Sequence, residues 1–504
     1  MSRSPDRTDR VLSGWLWLST GSGIQGALTV LTVGVLARLL TPAEFGIVTA
    51  ALLASNCSRL IPDAIVGAAL IQRPGLRPAH VRTAVTIALV TGFATVGLLW
   101  ALAPALGRFF GIPALPPVLR ALAWVQPVFA LGVVPEALLR RELRFRTVAN
   151  ARAISSAVGY GGFGISLALL GARQWALVGA SAAQVVMMTA LILRAGRGPV
   201  RPGFDRQAAR ELMSFSGGFL LARIGNYAAG NGDNLVVGRW LGAAALGVYD
   251  RAYQLMAAPA MLLGQALDEV LFPALAQVQS DRPLVATAYR RAVSAVGLVM
   301  LPASVVLAVL APEIVLLLLG PSWTAVITPL RILALGLLFR TSYKISDSFA
   351  RALGAVYRRA WRQWAFAGLV VGGGVAGQRW GTAGVAGAVV LALAANFLLQ
   401  AHLILRLVAM DWRTFALAHG PGVRLALLAG VPATACAAGA RGVLALPAAA
   451  TFSLTLAVTF GVLGASLTFG GERLLGAENG WLLHRLAELR RTRPSPLPLS
   501  GGPA

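Results

Sequence analysis

The chain has 504 residues, of which 57% are hydrophobic and only 12% charged, with a mean hydropathy of +0.71. A soluble protein carries roughly a quarter charged residues, so the solvent here is largely lipid, and no stretch is left over for a sizeable soluble catalytic domain. The 44 basic against 19 acidic residues give a net charge of +25, but the arginines stand in short clusters between apolar runs, which signals membrane topology rather than nucleic-acid binding.

A bilayer core of about 30 Å takes about 20 apolar residues of helix, and that ruler places fourteen spans. The first, near residues 14–37, follows a charged start, is too long for a signal h-region and lacks a small-residue cleavage site, so it is read as a membrane helix. The second, near 44–70, carries Asn56, Arg59 and Asp63 on one helical face, with Arg59 near mid-membrane. A charge there needs a partner, a water-filled cavity or a ligand: either Arg59 and Asp63 neutralise each other, or Arg59 faces a cavity. Cys57 in this run, and Cys436 much later, read as small buried residues and not as a disulfide or metal site.

Spans near 81–106, 116–138, 147–170 and 174–193 follow. The seventh, near 212–238, contains Arg223, Asn226, Gly230 and Asp233 in a 3–4 rhythm, with Asn231 and Asn234 adjacent. So many polar groups cannot face lipid; they form a polar seam between helices or line a pathway. In the eighth, near 245–272, Asp250 and Arg251 are expected as an interfacial pair, and Gln265, Asp268 and Glu269 as a gate or an interfacial cluster. After a ninth span near 288–318, the tenth, near 326–350, carries Arg340, Lys344, Asp347 and Arg351. Snorkelling accounts for Arg351, while Arg340 and Lys344 are candidate ligand contacts. The eleventh and twelfth, near 360–378 and 381–405, hold the runs "VGGGVAG" and "GTAGVAG", which allow close helix packing. Two more spans, near 423–440 and 448–470, precede a tail rich in Pro, Gly and Arg that is expected to be disordered.

Basic residues alternate across the connections. One side holds Arg73, Arg77 and Arg82, then Arg140, Arg141, Arg144 and Arg146, then Arg194, Arg197, Arg201 and Arg206; the other holds little beyond single arginines such as Arg108 and Arg173. The positive-inside rule then puts both termini in the cytoplasm.

The segment "ARLLTPAEFGIVTAA" from Ala37 aligns with "GRWLGAAALGVYDRA" from Gly238, pairing Arg38 with Arg239, Leu40 with Leu241, Gly46 with Gly247 and Ala51 with Ala252; Ser13 meets Ser214 at the same shift. An even number of spans per shift means a parallel repeat about an axis along the membrane normal. The expected fold is all-α and integral to the membrane, with two six-helix bundles (1–205 and 206–410) around a central cavity, two extra helices (411–472) and a basic tail (473–504). If Arg59, Arg223 and Arg340, all at similar depth, face that cavity, it attracts anions bearing phosphate or carboxylate.

No Walker A, HExxH or acidic catalytic pair is found, and His80, His402, His419 and His484 lack ligand spacing, so neither cofactor nor metal is expected. The stretches "VLARLLTPAEFGIVTAA", "RFFGIPALPPVLRALA", "GVVPEALLRRELRFRTVANAR" and "GDNLVVGRWLGAAALGVYDRAYQL" resemble bacterial polysaccharide-biosynthesis flippases of the oligosaccharide-flippase (Wzx-like) type, within the multidrug/oligosaccharidyl-lipid/polysaccharide transporter superfamily. The resemblance runs from about residue 11 to at least 365 and weakens after about 380. It implies a V-shaped pair of bundles whose first two helices line the cavity. It also implies a polyprenyl-pyrophosphate-linked oligosaccharide carried from the cytoplasmic to the outer leaflet of the bacterial inner membrane, for O-antigen, capsule or exopolysaccharide synthesis.

On that reading the chain is no enzyme. Arg59, Arg223, Asn226, Asn231, Arg340 and Lys344 are the substrate-site candidates, and Asp63 or Asp233 could carry a coupling ion. Its partners are the lipid-linked glycan and membrane lipids, with a polysaccharide polymerase and a chain-length regulator as candidate companions. No nucleic acid is involved, and a monomer is expected. The rival readings are a drug/cation antiporter, whose cavity should be acidic, a peptidoglycan-precursor flippase, and a membrane glycosyltransferase or polymerase, which needs a soluble or long outer-loop catalytic region.

Overall fold

A computed structural model describes residues 31–73, 75–196, 201–213, 216–278 and 281–475, with the side chains of 216–219, 222, 262–278, 356–357, 469–470 and 472–473 left aside. Most of the first expected span, Ser13 and Ser214, nearly all of the tail, and the side chains of Gln265, Asp268 and Glu269 therefore lie outside the described residues.

Capping chemistry opens the second span. The Thr41 hydroxyl accepts the Glu44 N–H, the Glu44 carboxylate accepts the Thr41 N–H, and Pro42 occupies the first turn, where its missing donor does no harm. Regular structure among the described residues is helical: α1 (31–39), α2 (Pro42–Gln72), α3 (Pro78–Phe110), α4 (Leu115–Arg141), α5 (Phe145–Ser156, continued to Leu169) and α6 (Gln174–Ala195). A short linker helix α7 (Arg206–Met213) leads to α8 (Ser216–Val278), α9 (Arg282–Val309), α10 (Ala311–Leu318), α11 (Ile327–Ala334), α12 (Leu337–Ala352), α13 (Val356–Gly377) and α14 (Gly381–Val408). Last come α15 (Trp412–Ala418), α16 (Gly420–Gly442) and α17 (Ala448–Leu475). Most expected spans from 44–70 onward coincide with one of these helices or an arm of one, but the ninth, 288–318, is divided between α9 and α10, and the tenth, 326–350, between α11 and α12.

By length and hydropathy, eight described helical stretches can cross a membrane, or nine if the pair bent by 50° between α11 and α12 is one span. Both arms of α8 miss that test. The first arm, which carries Arg223, Asn226, Asn231 and Asp233, is the span expected to line a seam or pathway.

Among the described helices, three carry a π-helical turn or a break at a glycine. Pro62 cannot donate its missing N–H inside α2, and the helix continues as a π-helical turn over Asp63–Gly67. α5 becomes π-helical over Ala157–Gly164, the run "AVGYGGFG". α8 breaks at Gly242, whose φ of 84° an L-residue adopts only with strain, so its two arms, 216–241 and 243–278, answer to the seventh and eighth spans.

The first-half helices pack mainly on each other, α3 against α4 and α4 and α5 against α6; in the second half α8, α12, α13 and α14 do the same. The halves meet chiefly where α2 lies on α8. The last two helices are fastened to the second half. α16 runs along α9 so closely that a Cβ on Gly422 would sit 2.4 Å from the Gly297 carbonyl oxygen, and Arg441 forms an ion pair of 2.6 Å with the buried carboxylate of Glu313 on α10.

Candidate functional site

The seam between α2 and α8 is tightest near the Gly242 bend. A Cβ on Gly46 would lie 1.7 Å from the Ala243 carbonyl oxygen, and one on Gly247 would lie 2.0 Å from that of Pro42. Gly46 and Gly247 are the pair that the internal repeat aligns, so the helices cross at equivalent points with backbone against backbone. The repeat-related arginines reach over in the same fashion: Arg38 Nη2 donates to the Leu317 carbonyl of α10, and the Arg239 guanidinium lies 5.4 Å from the Phe109 ring of α3. Trp323 closes this end further, its Nε1–H donating to the Ala37 carbonyl at 2.7 Å.

One turn along, the Asp250 carboxylate gathers four donors. Arg251 donates at 2.6 Å, Gln254 at 2.9 Å, Asn234 at 3.3 Å, and Thr49 of the first half at 3.3 Å. Asp250 and Arg251 do pair, but not at an interface with solvent: they are 7% and 8% exposed, and the guanidinium also lies 4.9 Å from the Phe45 ring. Closeness to the end of a span does not mean closeness to water when the other half covers it.

Further along α2 the seam changes character. Asp63, on the π-helical turn, pairs with Arg223 of α8 at 3.1 Å, and both side chains are about half-exposed, at 38% and 42%. The Asp63 carboxylate thus bridges the halves and does not pair with Arg59 on its own helix. On the Arg223 face of α8, Asn226 is exposed and Tyr227 donates its hydroxyl to the Leu53 carbonyl of α2 at 2.7 Å, while Asn231 donates back to the Tyr227 carbonyl at 3.1 Å. Cys57 is exposed and lies within electrostatic reach of Tyr227, so one cysteine read from sequence as buried borders this open part of the seam.

The three arginines expected to face one cavity point into three different surroundings. Arg223 stands in the seam. Arg59 turns into the first half, donating Nε to Gln126 at 3.3 Å and Nη1 to Asn56 at 3.3 Å, with the Phe129 ring 4.8 Å away. Arg340 sits inside the second half, donating to the Tyr253 hydroxyl and stacking 4.7 Å over its ring. The sequence gives no rotation of a helix about its axis, and that rotation separates the three.

Asp233 is 2% exposed and accepts the Tyr249 hydroxyl at 2.9 Å, so it belongs to the second-half core and not to the open face of Arg223 and Asn226. Lys344 is half-buried one turn beyond Arg340, and Asp347 pairs with Arg351 at 3.5 Å and with Arg359. Sequence reasoning passed over Gln126, which is 2% exposed and donates to Ser55 at 2.6 Å, and the tyrosines Tyr227, Tyr249 and Tyr253. A buried glutamine in a span carries the same signal as a buried arginine, only weaker.

Outside the spans, Glu211 of the linker helix α7 gathers Arg73 at 2.6 Å, His80 at 2.7 Å and Arg77 at 3.3 Å. The hydrogen bond from His80, then that from Gln207, then the charges of Arg73 and Arg77 hold its carboxyl below the usual range.

A family model described as "polysaccharide biosynthesis protein" matches residues 35–328. Among characterised proteins, the chain is 23% identical to the teichuronic acid biosynthesis protein TuaB of Bacillus subtilis (strain 168), over 66% of this chain and 69% of that one. It is 26% identical to the lipopolysaccharide biosynthesis protein WzxC of Escherichia coli (strain K12), over 66% and 68%. Among solved structures, the lipid II flippase MurJ in an inward closed conformation superposes with a TM-score of 0.73 at 12% identity, covering 90% of this chain and 98% of that one. That last likeness shows a shared all-α membrane fold.

Proposed function

Because the chain belongs to the polysaccharide biosynthesis protein family, we propose that it is a flippase. It would move a polyprenyl-pyrophosphate-linked oligosaccharide from the cytoplasmic to the outer leaflet of the bacterial inner membrane by alternating access of its two halves. The observation that carries this is the Asp63–Arg223 pair: a bridge between the halves, accessible to solvent, at the opposite stretch of α2 from the closed glycine crossing. The arginine asymmetry of the connections supports a cytoplasmic opening at the Asp63 end.

In the mechanism this supports, the prenyl tail stays in lipid while the diphosphate enters the seam. A diphosphate presents more charge and more acceptor oxygens than one carboxylate, so it competes for the Arg223 guanidinium, which grips phosphate oxygens bidentately. Asn226 and Asn231, on the following turns, are placed to meet the first sugar or the phosphate oxygens. Asp63, relieved of its partner, is left as an uncompensated carboxylate and is the better-placed carrier of a coupling proton or sodium ion; Asp233, closed into the second-half core, would need that core to open. Arg340 and Lys344 add positive field from within the second half. Halves numbered 1–205 and 206–410 would rock about α2 and α8, with the last two helices travelling with the second half. A drug/cation antiporter is disfavoured because the open face presents a guanidinium.

The test is export. In a strain lacking the chain, Arg223→Glu should fail to restore surface polysaccharide at normal protein level, whereas the charge-swapped Asp63→Arg/Arg223→Asp pair should restore bridging but not substrate capture. Undiminished export by Arg223→Glu would overturn the assignment.

A further inference from the structure

Inside the first half lies a cavity of about 230 Å³ whose described lining comes from α2, α4, α5 and α6, with no second-half residue. Arg59, Phe129, Glu136, Arg152 and Gln184 are among the residues that bound it. It is distinct from the seam, where Arg223 stands.

Arg59 brings an unspent charge to this cavity. Two of its nitrogens are bound to Gln126 and Asn56, while Nη2 is buried and has no hydrogen-bond partner. Among the described residues no carboxylate lies within ion-pair distance of it. A buried guanidinium with neither counter-ion nor a full set of acceptors is strongly unfavourable, so whatever occupies the cavity should supply both. Arg152, 55% exposed, stands on the lining as a second cation. The one lining carboxylate, Glu136, is already shared: it lies 3.5 Å from Arg152 and accepts two hydrogen bonds from Arg140, which lies outside the cavity. The lining is therefore net positive.

We infer that this cavity is an oxyanion site belonging to the first half alone, taking one phosphate or diphosphate group between Arg59 and Arg152. Its volume exceeds the roughly 150 Å³ that admits a benzene ring, which leaves room for such a group with its hydrogen-bonded shell. Arg59 holds the deep side and the half-exposed Arg152 the mouth, so the anion enters past Arg152. Glu136 weakens binding by repulsion and so keeps the site exchangeable. The phosphate can come from a lipid-linked diphosphate or from an anionic phospholipid head group; the chemistry is the same. The inference does not depend on transport.

The test uses the full chain in phosphatidylcholine nanodiscs, titrated calorimetrically with inorganic pyrophosphate. Saturable binding is expected to persist in Arg223→Gln, which removes the seam's own affinity for diphosphate, and in that background to be weakened about tenfold or more by Arg152→Gln and tightened severalfold by Glu136→Gln. Opposite shifts from two neighbouring substitutions separate a binding role from general damage, and Arg152→Lys, which keeps the charge, should retain most of the affinity. Repeating the titration in phosphatidylglycerol nanodiscs distinguishes the sources: a lower apparent affinity assigns the site to phospholipid head groups, and an unchanged one to a diphosphate carried in from outside the bilayer. Absence of saturable binding, indifference to Arg152→Gln, or loss of binding in Arg223→Gln would each overturn the inference. Undiminished export by Arg223→Glu beside Arg152-dependent pyrophosphate binding would overturn the flippase assignment and leave this site standing.

Discussion

The two stretches of the seam are held by different forces. At the Gly46 end, two helices touch backbone to backbone, and the polar groups beside them, Asp250 and Arg251, are sealed from water and bonded to one another. At the Asp63 end, one ion pair spans the halves with both partners about half-exposed. Dry contact depends on shape and tolerates no added atom; a wet ion pair is screened, modest in strength and open to competition by another anion. An alternating-access protein at rest in this state would thus have one end that only a conformational change can open and another that a ligand can unlock.

The sharpest way to break this comparison is to add volume at the dry end. Gly46→Leu places carbon where the Ala243 carbonyl stands, 1.7 Å from a Cβ, and should disfavour closure by about 3 kcal/mol or more, roughly a hundredfold shift toward an open Gly46 end. In a Cys436→Ser background, the exposed Cys57 reports the change: a membrane-impermeant maleimide should reach it from the Gly46 side in the variant and not in the parent. Equal labelling from that side in both would mean that the glycine crossing is no barrier.

Next in size is Asp250→Asn. Removing the carboxylate leaves Arg251 buried without its counter-charge, a change that typically destabilises by about 3 kcal/mol or more. Asp63→Asn makes the same chemical change at the wet end and should alter thermal stability by no more than about 1 kcal/mol. The pair of measurements reads the difference between the ends directly: melting temperatures in nanodiscs should fall clearly for the first and little for the second. Raising salt from about 0.05 to 0.5 M should weaken only the Asp63–Arg223 contribution.

Much of this was legible in the sequence, for identifiable reasons. Apolar run lengths placed the helices because lipid leaves the backbone no alternative. The repeat alignment paired Gly46 with Gly247, but that the helices cross there, where only glycine permits the approach, came from the structure. What sequence did not supply was the rotation of each helix. Arg59 and Asp63 stand four residues apart, which suggests a pair, yet the π-helical turn after Pro62 begins at Asp63, and its carboxylate meets Arg223 instead. Arg340 and Arg223 are expected from sequence at comparable depth, but one is enclosed by Tyr253 and the other faces the seam. The first-half cavity was equally hidden: Arg59 stands out in the sequence, but the rest of the lining comes from three other helices whose polar residues look unremarkable.

The smallest expected effect lies outside the bilayer, where α7 is tied to the first half. The Arg77 backbone N–H donates to His80 Nδ1 at 3.1 Å, so Nε2 carries the imidazole proton and donates it to Glu211 at 2.7 Å. Leu212, fully buried beside it, joins the core at the Gln72 end of α2, so the linker belongs mechanically to the first half. The Glu211 carboxyl is held below its usual range, chiefly by His80, and its contribution is therefore fully present above the unfolded-state value of about 4.3 and lost as the pH falls through the lower folded-state value. Between about pH 5 and 8, Glu211→Gln should lower the melting temperature slightly and by a constant amount. As the pH falls below about 4.3 and through the lower folded-state value, the gap between variant and parent should close, because the parent carboxylate then becomes neutral as well. A gap that instead opened as the pH fell would mean that Glu211 is bound in its protonated form and that the arginines beside it do not hold the linker.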